Sequence, residues 1–126
     1  MKQNTLSNFE QEVMTIVWGQ KKSSVHDILI KISKKKKIAY TTVATILQRL
    51  ENKGLVSKKM DAKICIYSPK ISKENYSKGL ASKFIKRFVQ SFGNIAMTSF
   101  AESIDELPQE KRDYFLKLLD EHEKDK

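Results

Sequence analysis

The amino-acid sequence predicts a mainly α-helical protein in which a winged helix-turn-helix domain, residues 1–70, precedes a second helical domain, residues 71–126. Three short segments with the apolar period of a helix are followed, after Gly54, by two segments typical of a β-hairpin. The charge is also divided. Residues 1–70 hold fourteen Lys and Arg against five Asp and Glu, whereas the rest of the chain has ten of each. A cationic first half indicates a polyanionic partner for that half alone.

The composition excludes several classes of protein. With 40% hydrophobic and 31% charged residues the chain is of globular type, and no apolar run approaches the ~20 residues that span a bilayer, so no membrane insertion is expected. One cysteine, Cys65, allows no internal disulfide and too few ligands for a structural zinc site. The sequence also lacks a glycine-rich phosphate loop and the common catalytic motifs. We therefore expect a cytoplasmic protein that is not an enzyme and has no metal or cofactor.

The first two helices are predicted from their capping residues and apolar spacing. Ser7, with a glutamate three residues later, forms a capping box, and the helix should stop near Gly19. Ser24 opens the second helix in the same way, and the lysine run at 34–37 should end it. Trp18 lies off the apolar stripe and is expected to pack against the fold rather than to stack on a base. The two stripes consist of Phe9, Val13, Ile16 and Val17, and of Val25, Ile28, Leu29 and Ile32.

The third helix, from about Tyr40 to Lys53, carries the residues that favour nucleic-acid recognition. Its buried stripe is predicted to consist of Val43, Ile46, Leu47 and Leu50. The opposite side has hydroxyl and amide groups instead of the Glu and Lys of an ordinary solvated helix. Such groups can donate and accept hydrogen bonds at base edges, although a low-charge helix exposed by chance is the alternative. The predicted base contacts are Tyr40, Thr41, Ala44, Thr45 and Gln48.

A basic β-hairpin should follow the third helix. Segments 55–60 and 64–68 have β-forming side chains and bounding turns, with a short connection at 61–63. Lysines on this hairpin, and those just before the third helix, are well placed for backbone phosphates, which supply affinity but no sequence information. Arg49 could instead neutralise Glu51 or a carbonyl at the helix end. The predicted phosphate contacts are Lys36, Lys37, Thr42, Arg49, Lys58, Lys59 and Lys63.

The second domain is predicted to be helical, with an apolar face that needs a partner. Ser72 starts a helix whose apolar residues fall within about half of its circumference at 100° per residue. A short helix at about 95–102 and a terminal helix opened by Leu107 and Pro108 follow. About 55 residues cannot bury such a stripe alone, so it folds onto the first domain or, as we favour, meets its own copy. The predicted dimer interface consists of Leu80, Phe84, Ile85, Phe88, Phe92, Phe115, Leu118 and Leu119.

Two segments carry a specific pattern: SNFEQEVMTIVW at 7–18 and YTTVATILQRLENKG at 40–54. This pattern resembles the penicillinase-repressor family, of the BlaI and MecI type and related to the copper-responsive CopY repressors. The resemblance extends over nearly the whole chain. It implies a homodimeric transcriptional repressor that binds palindromic operators in double-stranded DNA, with an N-terminal DNA-binding domain and a C-terminal dimerisation domain.

The resemblance also implies a way of relieving repression. In family members that are paired with a membrane β-lactam sensor, an Asn-Phe bond in the dimerisation domain is cleaved. The matching position here is Ser99-Phe100, which retains the phenylalanine but not the asparagine. A membrane sensor protease is thereby implied as a partner, together with a link to antibiotic resistance. The copper-responsive relatives carry Cys-x-Cys pairs near the C-terminus, and this chain lacks them.

Two other functions fit the same residues. A winged-helix protein-interaction module would use the third helix and the basic hairpin to dock on an acidic partner. Substitution of Thr41 and Thr45 distinguishes this module from a protein that reads DNA bases. A non-specific nucleoid protein would instead bind all DNA sequences with equal affinity.

Overall fold

The computed structural model describes residues 6–124, and in this range the chain forms six helices and one two-stranded sheet. The helices are α1 (Asn8–Gln20), α2 (Val25–Ser33), α3 (Tyr40–Asn52), α4 (Lys73–Phe92), α5 (Asn94–Ile104) and α6 (Gln109–Lys124). The strands β1 (Val56–Asp61) and β2 (Ile64–Pro69) lie between α3 and α4 in the sequence. Three helices, a hairpin and further helices confirm the predicted fold class. No helix in the described range has the length and apolar character needed to cross a membrane.

The first two helices begin at the predicted capping residues. The Ser7 hydroxyl accepts a hydrogen bond from the Glu10 N–H at 3.2 Å, and the Ser7 N–H donates to the Glu10 carboxylate at 2.9 Å. Ser24 and Asp27 make the same reciprocal pair at the start of α2. α1 extends one residue beyond the predicted glycine stop, because the left-handed position that closes it is Lys21, with φ of 69°.

One apolar core lies between the first three helices and the hairpin. The predicted stripe of α3 is confirmed, since all four of its residues are at most 5% exposed. Met14 is fully buried as well, although the sequence spacing did not place it in the stripe of α1. The residues that meet the α3 stripe in this core are Val13, Met14, Val17, Val25, Ile28, Ile32, Leu55, Val56, Tyr67 and Tyr76. This core fixes which face of α3 remains exposed.

The hairpin has a tighter turn than the sequence predicted. Asp61 pairs with Ile64, so that Ala62 and Lys63 alone connect the strands in place of the three-residue connection at 61–63. Both turn residues have positive φ, 50° and 69°. This geometry follows the right-handed twist of a hairpin, and it is usually supplied by Asn and Gly. The sequence therefore contained no typical signal for a two-residue turn.

A single bridge ties the hairpin to the segment between α1 and α2. The Ser23 N–H donates to the Tyr67 carbonyl at 3.0 Å, and the Tyr67 N–H donates to the Ser23 carbonyl at 2.7 Å. Ser23 is fully buried, and its hydroxyl donates to the Gln20 side chain at 2.6 Å. The hairpin is thus anchored through β2, which contains Tyr67, while β1 faces solvent from Ser57 onward.

The chain divides into two compact units after Ala81, within α4. The first turns of this helix belong to the winged-helix unit because Tyr76 is buried there, with its ring 5.6 Å from that of Trp18. The Trp18 indole N–H donates to the Ile71 carbonyl at 2.9 Å, so Trp18 packs against the fold as predicted. The assignment of separate functions to residues 1–70 and 71–126 stays a prediction.

The second unit has almost no core of its own. Among its described residues, 82–124, only Ala96 is buried. Phe84, Phe88 and Phe92 form a row along α4 with neighbouring ring centres 5.5 and 5.6 Å apart. Large apolar side chains nevertheless stay at least 37% exposed, namely Phe84, Ile85, Phe92, Ile95, Met97, Phe100, Leu107, Tyr114, Leu116, Leu118 and Leu119. Apolar exposure on this scale is typical of an association surface.

Candidate nucleic-acid interface

The exposed face of α3 has the uncharged polar character that its sequence predicted. Tyr40 is 53% exposed, and Thr41, Thr45 and Gln48 also face solvent. Ala44 is partly buried against the core, so it lies at the edge of this face. The Thr45 hydroxyl donates to the Thr41 carbonyl at 2.9 Å, and its oxygen remains able to accept a hydrogen bond from outside. Four of the five predicted base-contact residues are thus presented together to solvent.

The N-terminus of α3 has no side-chain cap. Ala39 occupies the cap position, and its carbonyl accepts hydrogen bonds from the N–H groups of Thr42 and Val43 at 3.1 and 3.3 Å. The N–H groups of Tyr40 and Thr41 precede this bonded pair, and the helix dipole favours an anion at this end. Phosphate is an acceptor that helix N-termini commonly bind in DNA complexes. Thr42, a predicted phosphate contact, is exposed in the same turn.

The structure separates the predicted phosphate contacts into paired and unpaired groups. The Lys36 ammonium lies 2.8 Å from a Glu12 carboxylate oxygen and 5.2 Å from the centre of the Phe9 ring. Lys58 lies 3.9 Å from Glu51, which therefore pairs with the hairpin rather than with Arg49. Within residues 6–124, the predicted contacts that form no ion pair are Lys37, Arg49, Lys59 and Lys63.

A buried carboxylate holds the end of α3 against α1. Glu10 is 5% exposed, and one of its oxygens lies 3.0 Å from the Lys53 ammonium, directly after α3. Burial raises the pKa of Glu10, but the Ser7 N–H and the Lys53 ammonium together outweigh burial and lower that pKa below its ordinary value of 4.5. Burial and the nearby Glu10 charge raise the pKa of Tyr76. The carboxylate is therefore charged at neutral pH, and it holds the C-terminal end of α3 against α1.

The position of Glu10 on α1 is a sequence signal for this anchor, in addition to the capping box. At 100° per residue Glu10 falls on the apolar face of α1, between Val17 and Met14. A lone carboxylate within an apolar stripe must find a buried partner, because an unpaired charge there is very costly. The identity of the partner, 43 residues away, is set only by the packing of α1 against α3.

We expect Glu10 to make the unfolding free energy of the first unit depend on pH in acid. A lowered folded-state pKa means that the carboxylate stabilises the fold above pH 4.5, and that this contribution is lost as the pH falls through the folded-state pKa. Glu10→Gln should cost about 1–3 kcal/mol at neutral pH because it removes a charged partner of Lys53. Urea unfolding followed by the fluorescence of Trp18, the only tryptophan, measures this cost.

The control for Glu10→Gln is Glu102→Gln, which changes an exposed carboxylate of α5. The difference in unfolding free energy between the parent and Glu10→Gln should shrink as the pH is lowered. The unfolding free energy of the control should equal that of the parent at every pH. A deficit of equal size at neutral pH and at about pH 3 would contradict the assigned role of the Glu10 charge.

The described part of the chain offers no metal site. Within residues 6–124 no group of three or more His, Cys, Asp or Glu side chains could hold a metal ion. Cys65 lies in β2 beside Met60 of β1, with the two sulfur atoms 3.2 Å apart. Two sulfur atoms alone do not make a metal site, so we assign Cys65 no chemical role.

A winged helix that presents hydroxyl and amide groups on its third helix, beside unpaired lysines, defines a DNA-binding transcriptional regulator. The chain belongs to the penicillinase repressor family, whose sequence profile matches residues 6–121. The penicillinase repressor of Bacillus licheniformis is 26% identical over 117 residues, which cover 93% of this chain and 91% of that protein. The methicillin resistance regulatory protein MecI of Staphylococcus aureus strain N315 is 29% identical over 100 residues, covering 79% and 81%.

The solved structures include a relative with DNA. The solution structure of monomeric BlaI of Bacillus licheniformis, in complex with the blaP half-operator, is 27% identical to this chain, with a TM-score of 0.50. The match covers 60% of this chain and 94% of that one. Together the comparisons confirm the family resemblance and the winged-helix fold. They also confirm that the chain is a transcriptional repressor and not an enzyme, as its family is. The matching proteins also include regulators of antibiotic resistance.

Proposed function

We propose that two copies of this chain occupy a palindromic operator and repress transcription by that occupancy. The exposed polar face of α3, in a chain of this family, is the observation that carries the proposal. A recognition helix lies in the major groove with its N-terminal residues at the base edges. In α3 these residues are Tyr40, Thr41, Ala44 and Thr45, with Gln48 one turn further along.

Phosphate contacts would flank the recognition helix on two sides. Lys37 and Thr42 stand at its N-terminal end, and Lys59 and Lys63 stand on the hairpin, with Arg49 available near its C-terminal end. Lys36 and Lys58 would first release the carboxylates that they contact, which costs about 0–1 kcal/mol for exposed ion pairs. DNA as the partner is supported by the half-operator complex of a relative that is 27% identical.

The second unit would bring in a second copy of the chain, and that copy would bind the second half of the operator. The exposed apolar residues of this unit support another copy of the chain as the partner, because two such stripes can bury each other. The dimer would place two α3 helices in successive major grooves, about 34–36 Å apart. Tethering makes the second contact intramolecular and raises avidity on the order of 10²–10⁴-fold. A repressor acts where the chromosome lies, so the cytoplasm is the proposed location of this chain.

Separation of the two copies is the proposed point of control. Cleavage at Ser99-Phe100 by a membrane sensor protease is the route that the family resemblance implies. This bond lies in the middle of α5, where the Ser99 carbonyl also accepts a hydrogen bond from the Ser103 hydroxyl at 2.8 Å. Proteases prefer exposed segments without regular structure, so α5 would have to unwind locally before this bond is cut.

The direct test of base reading is the double substitution Thr41→Ala with Thr45→Ala. We expect the affinity for the operator to fall by at least about 30-fold, since the two lost base contacts, at about 1–3 kcal/mol each, together cost at least about 2 kcal/mol. Affinity for unrelated DNA should stay unchanged because phosphate contacts are retained. The operator is first selected from a random duplex pool, and binding is then measured by fluorescence anisotropy.

Thr15→Ala is the matched control, since the Thr15 hydroxyl makes the same hydrogen bond to the carbonyl four residues earlier, but on α1. Unchanged operator binding by the double variant would show that the base-reading face is wrongly assigned. A parent protein that enriches no sequence from the pool would instead behave as a non-specific nucleoid protein.

A further inference from the structure

A groove of about 820 Å³ lies where the winged helix continues into α4. Its apolar wall is formed by Trp18, Pro69 and Ile71. The hydrogen bond from the Trp18 indole N–H to the Ile71 carbonyl fixes the ring at the groove. The volume is within the range of small-molecule sites, about 300–1,000 Å³. None of the residues proposed to contact DNA lines this groove, so the DNA interface does not account for it.

The charges around the groove have one dominant sign. Its lining includes four lysines and one carboxylate, namely Lys21, Lys22, Lys70, Lys73 and Glu74. All five side chains are exposed, and none of them forms an ion pair within residues 6–124. Unpaired ammonium groups around an apolar wall are complementary to an anion that has an apolar body.

The groove also has unfilled space at its α1 side. Gly19 lines it, and a Cβ added at Gly19 would meet no atom within 4 Å. The start of the 20-residue helix α4 contributes Lys73 and Glu74 to the lining, and Ser72, directly before the helix, lines the groove as well. The positive end of the helix dipole therefore adds to the lysine charge at this side, and Glu74 partly offsets it.

We propose that this groove binds a small amphipathic organic anion, with its apolar body against Trp18 and its carboxylate facing Lys70 and Lys73. The apolar wall supplies affinity through burial of the ligand body, and the lysines select an anion over a neutral molecule. The lining of the groove shares no residue with the proposed DNA contacts or with the predicted dimer interface.

The probe is 4-tert-butylbenzoate, with 4-tert-butylbenzamide as its neutral analogue and acetate as an anion without the apolar body. Trp18 is the only tryptophan and lines the groove, so its emission, excited at wavelengths that the benzoates do not absorb, responds to a ligand bound there. We expect a saturable change with the benzoate and at least a threefold weaker affinity for the amide, roughly the worth of exposed charge contacts. Acetate should leave the emission unchanged.

Four variants of the full-length chain locate the site. Lys70→Gln with Lys73→Gln should weaken benzoate binding by about three- to tenfold, and Glu74→Gln should strengthen it by about two- to threefold. Gly19→Leu should weaken it by at least about tenfold, because the new side chain fills the space that the ligand body needs. Lys117→Gln on α6 removes a lysine elsewhere and should change nothing.

The proposal is overturned by any of three results. The first is the absence of a saturable change up to about 10 mM benzoate, well above the dissociation constants of weak specific ligands. The second is equal affinity for benzoate and benzamide. The third is unchanged benzoate binding in both the lysine variant and Gly19→Leu, when these variants retain the operator affinity and unfolding midpoint of the parent.

Discussion

Phe84→Glu should convert the proposed dimer into a monomer and lower operator affinity by about 10²–10⁴-fold, the avidity that tethering supplies. In the single chain Phe84 is 58% exposed, so a charged side chain at this position costs the protomer fold little. In a dimer the same carboxylate would be desolvated against apolar partners, at a cost of several kcal/mol. Sedimentation equilibrium gives the oligomeric state, and fluorescence anisotropy with the selected operator gives the affinity.

Lys83→Glu provides the matched control for this substitution. It introduces the same carboxylate one residue earlier in α4, on the side opposite to the aromatic row. The control should remain dimeric and bind the operator within a fewfold of the parent. A Phe84→Glu protein that stays dimeric would show that the interface lies elsewhere. A monomer that protects both operator halves with the affinity of the parent would remove the avidity argument altogether.

Operator affinity should also fall by about three decades between about 50 and 200 mM salt. Lys37, Lys59 and Lys63 form no ion pair in the described range, and a dimer presents each of them twice. Six neutralised phosphates give a slope of log affinity against log salt of about −5, since each released counterion contributes about −0.9. Anisotropy titrations at four or more salt concentrations measure this slope.

The hairpin lysines should account for most of that slope. Lys59→Gln with Lys63→Gln removes four contacts per dimer and should reduce the slope by about 3–4, with similar losses on specific and unrelated DNA. Lys111→Gln with Lys117→Gln removes the same charge from α6 and should leave the slope unchanged. A flat salt response in the parent would exclude the proposed phosphate contacts, and an unaltered slope in the hairpin variant would place them on another surface.

Local signals predicted much of the fold. The stripe of α3 and the capping boxes at Ser7 and Ser24 depend on residues three or four positions apart, which the helical backbone itself brings together. The exposed face of α3 follows from the same periodicity, because a helix with one buried side presents the other to solvent. The predicted base contacts at Thr41 and Thr45 could therefore be placed on the surface before the tertiary packing was known.

What the sequence did not predict depends on residues distant in the chain. The bridge between Ser23 and Tyr67 joins positions 44 residues apart, and neither residue type signals it. The ion pair of Lys36 with Glu12 depends on where the segment before α3 passes α1, so a lysine predicted as a phosphate contact is already occupied. The two-residue turn was not predicted for another reason. The hairpin geometry imposes a positive φ on Ala62, a residue type that does not itself favour this conformation.

In the proposed dimer, the near absence of a core in residues 82–124 makes folding of that half depend on assembly. A segment that can bury its side chains only against a second copy gains stability with chain concentration, as obligate dimers do. Dilution then acts like a destabilising mutation, and newly made chains at low abundance would offer loosened helices to cellular proteases. Such a protein responds to its own abundance more steeply than in proportion, so a small drop in its level would open the promoter sharply.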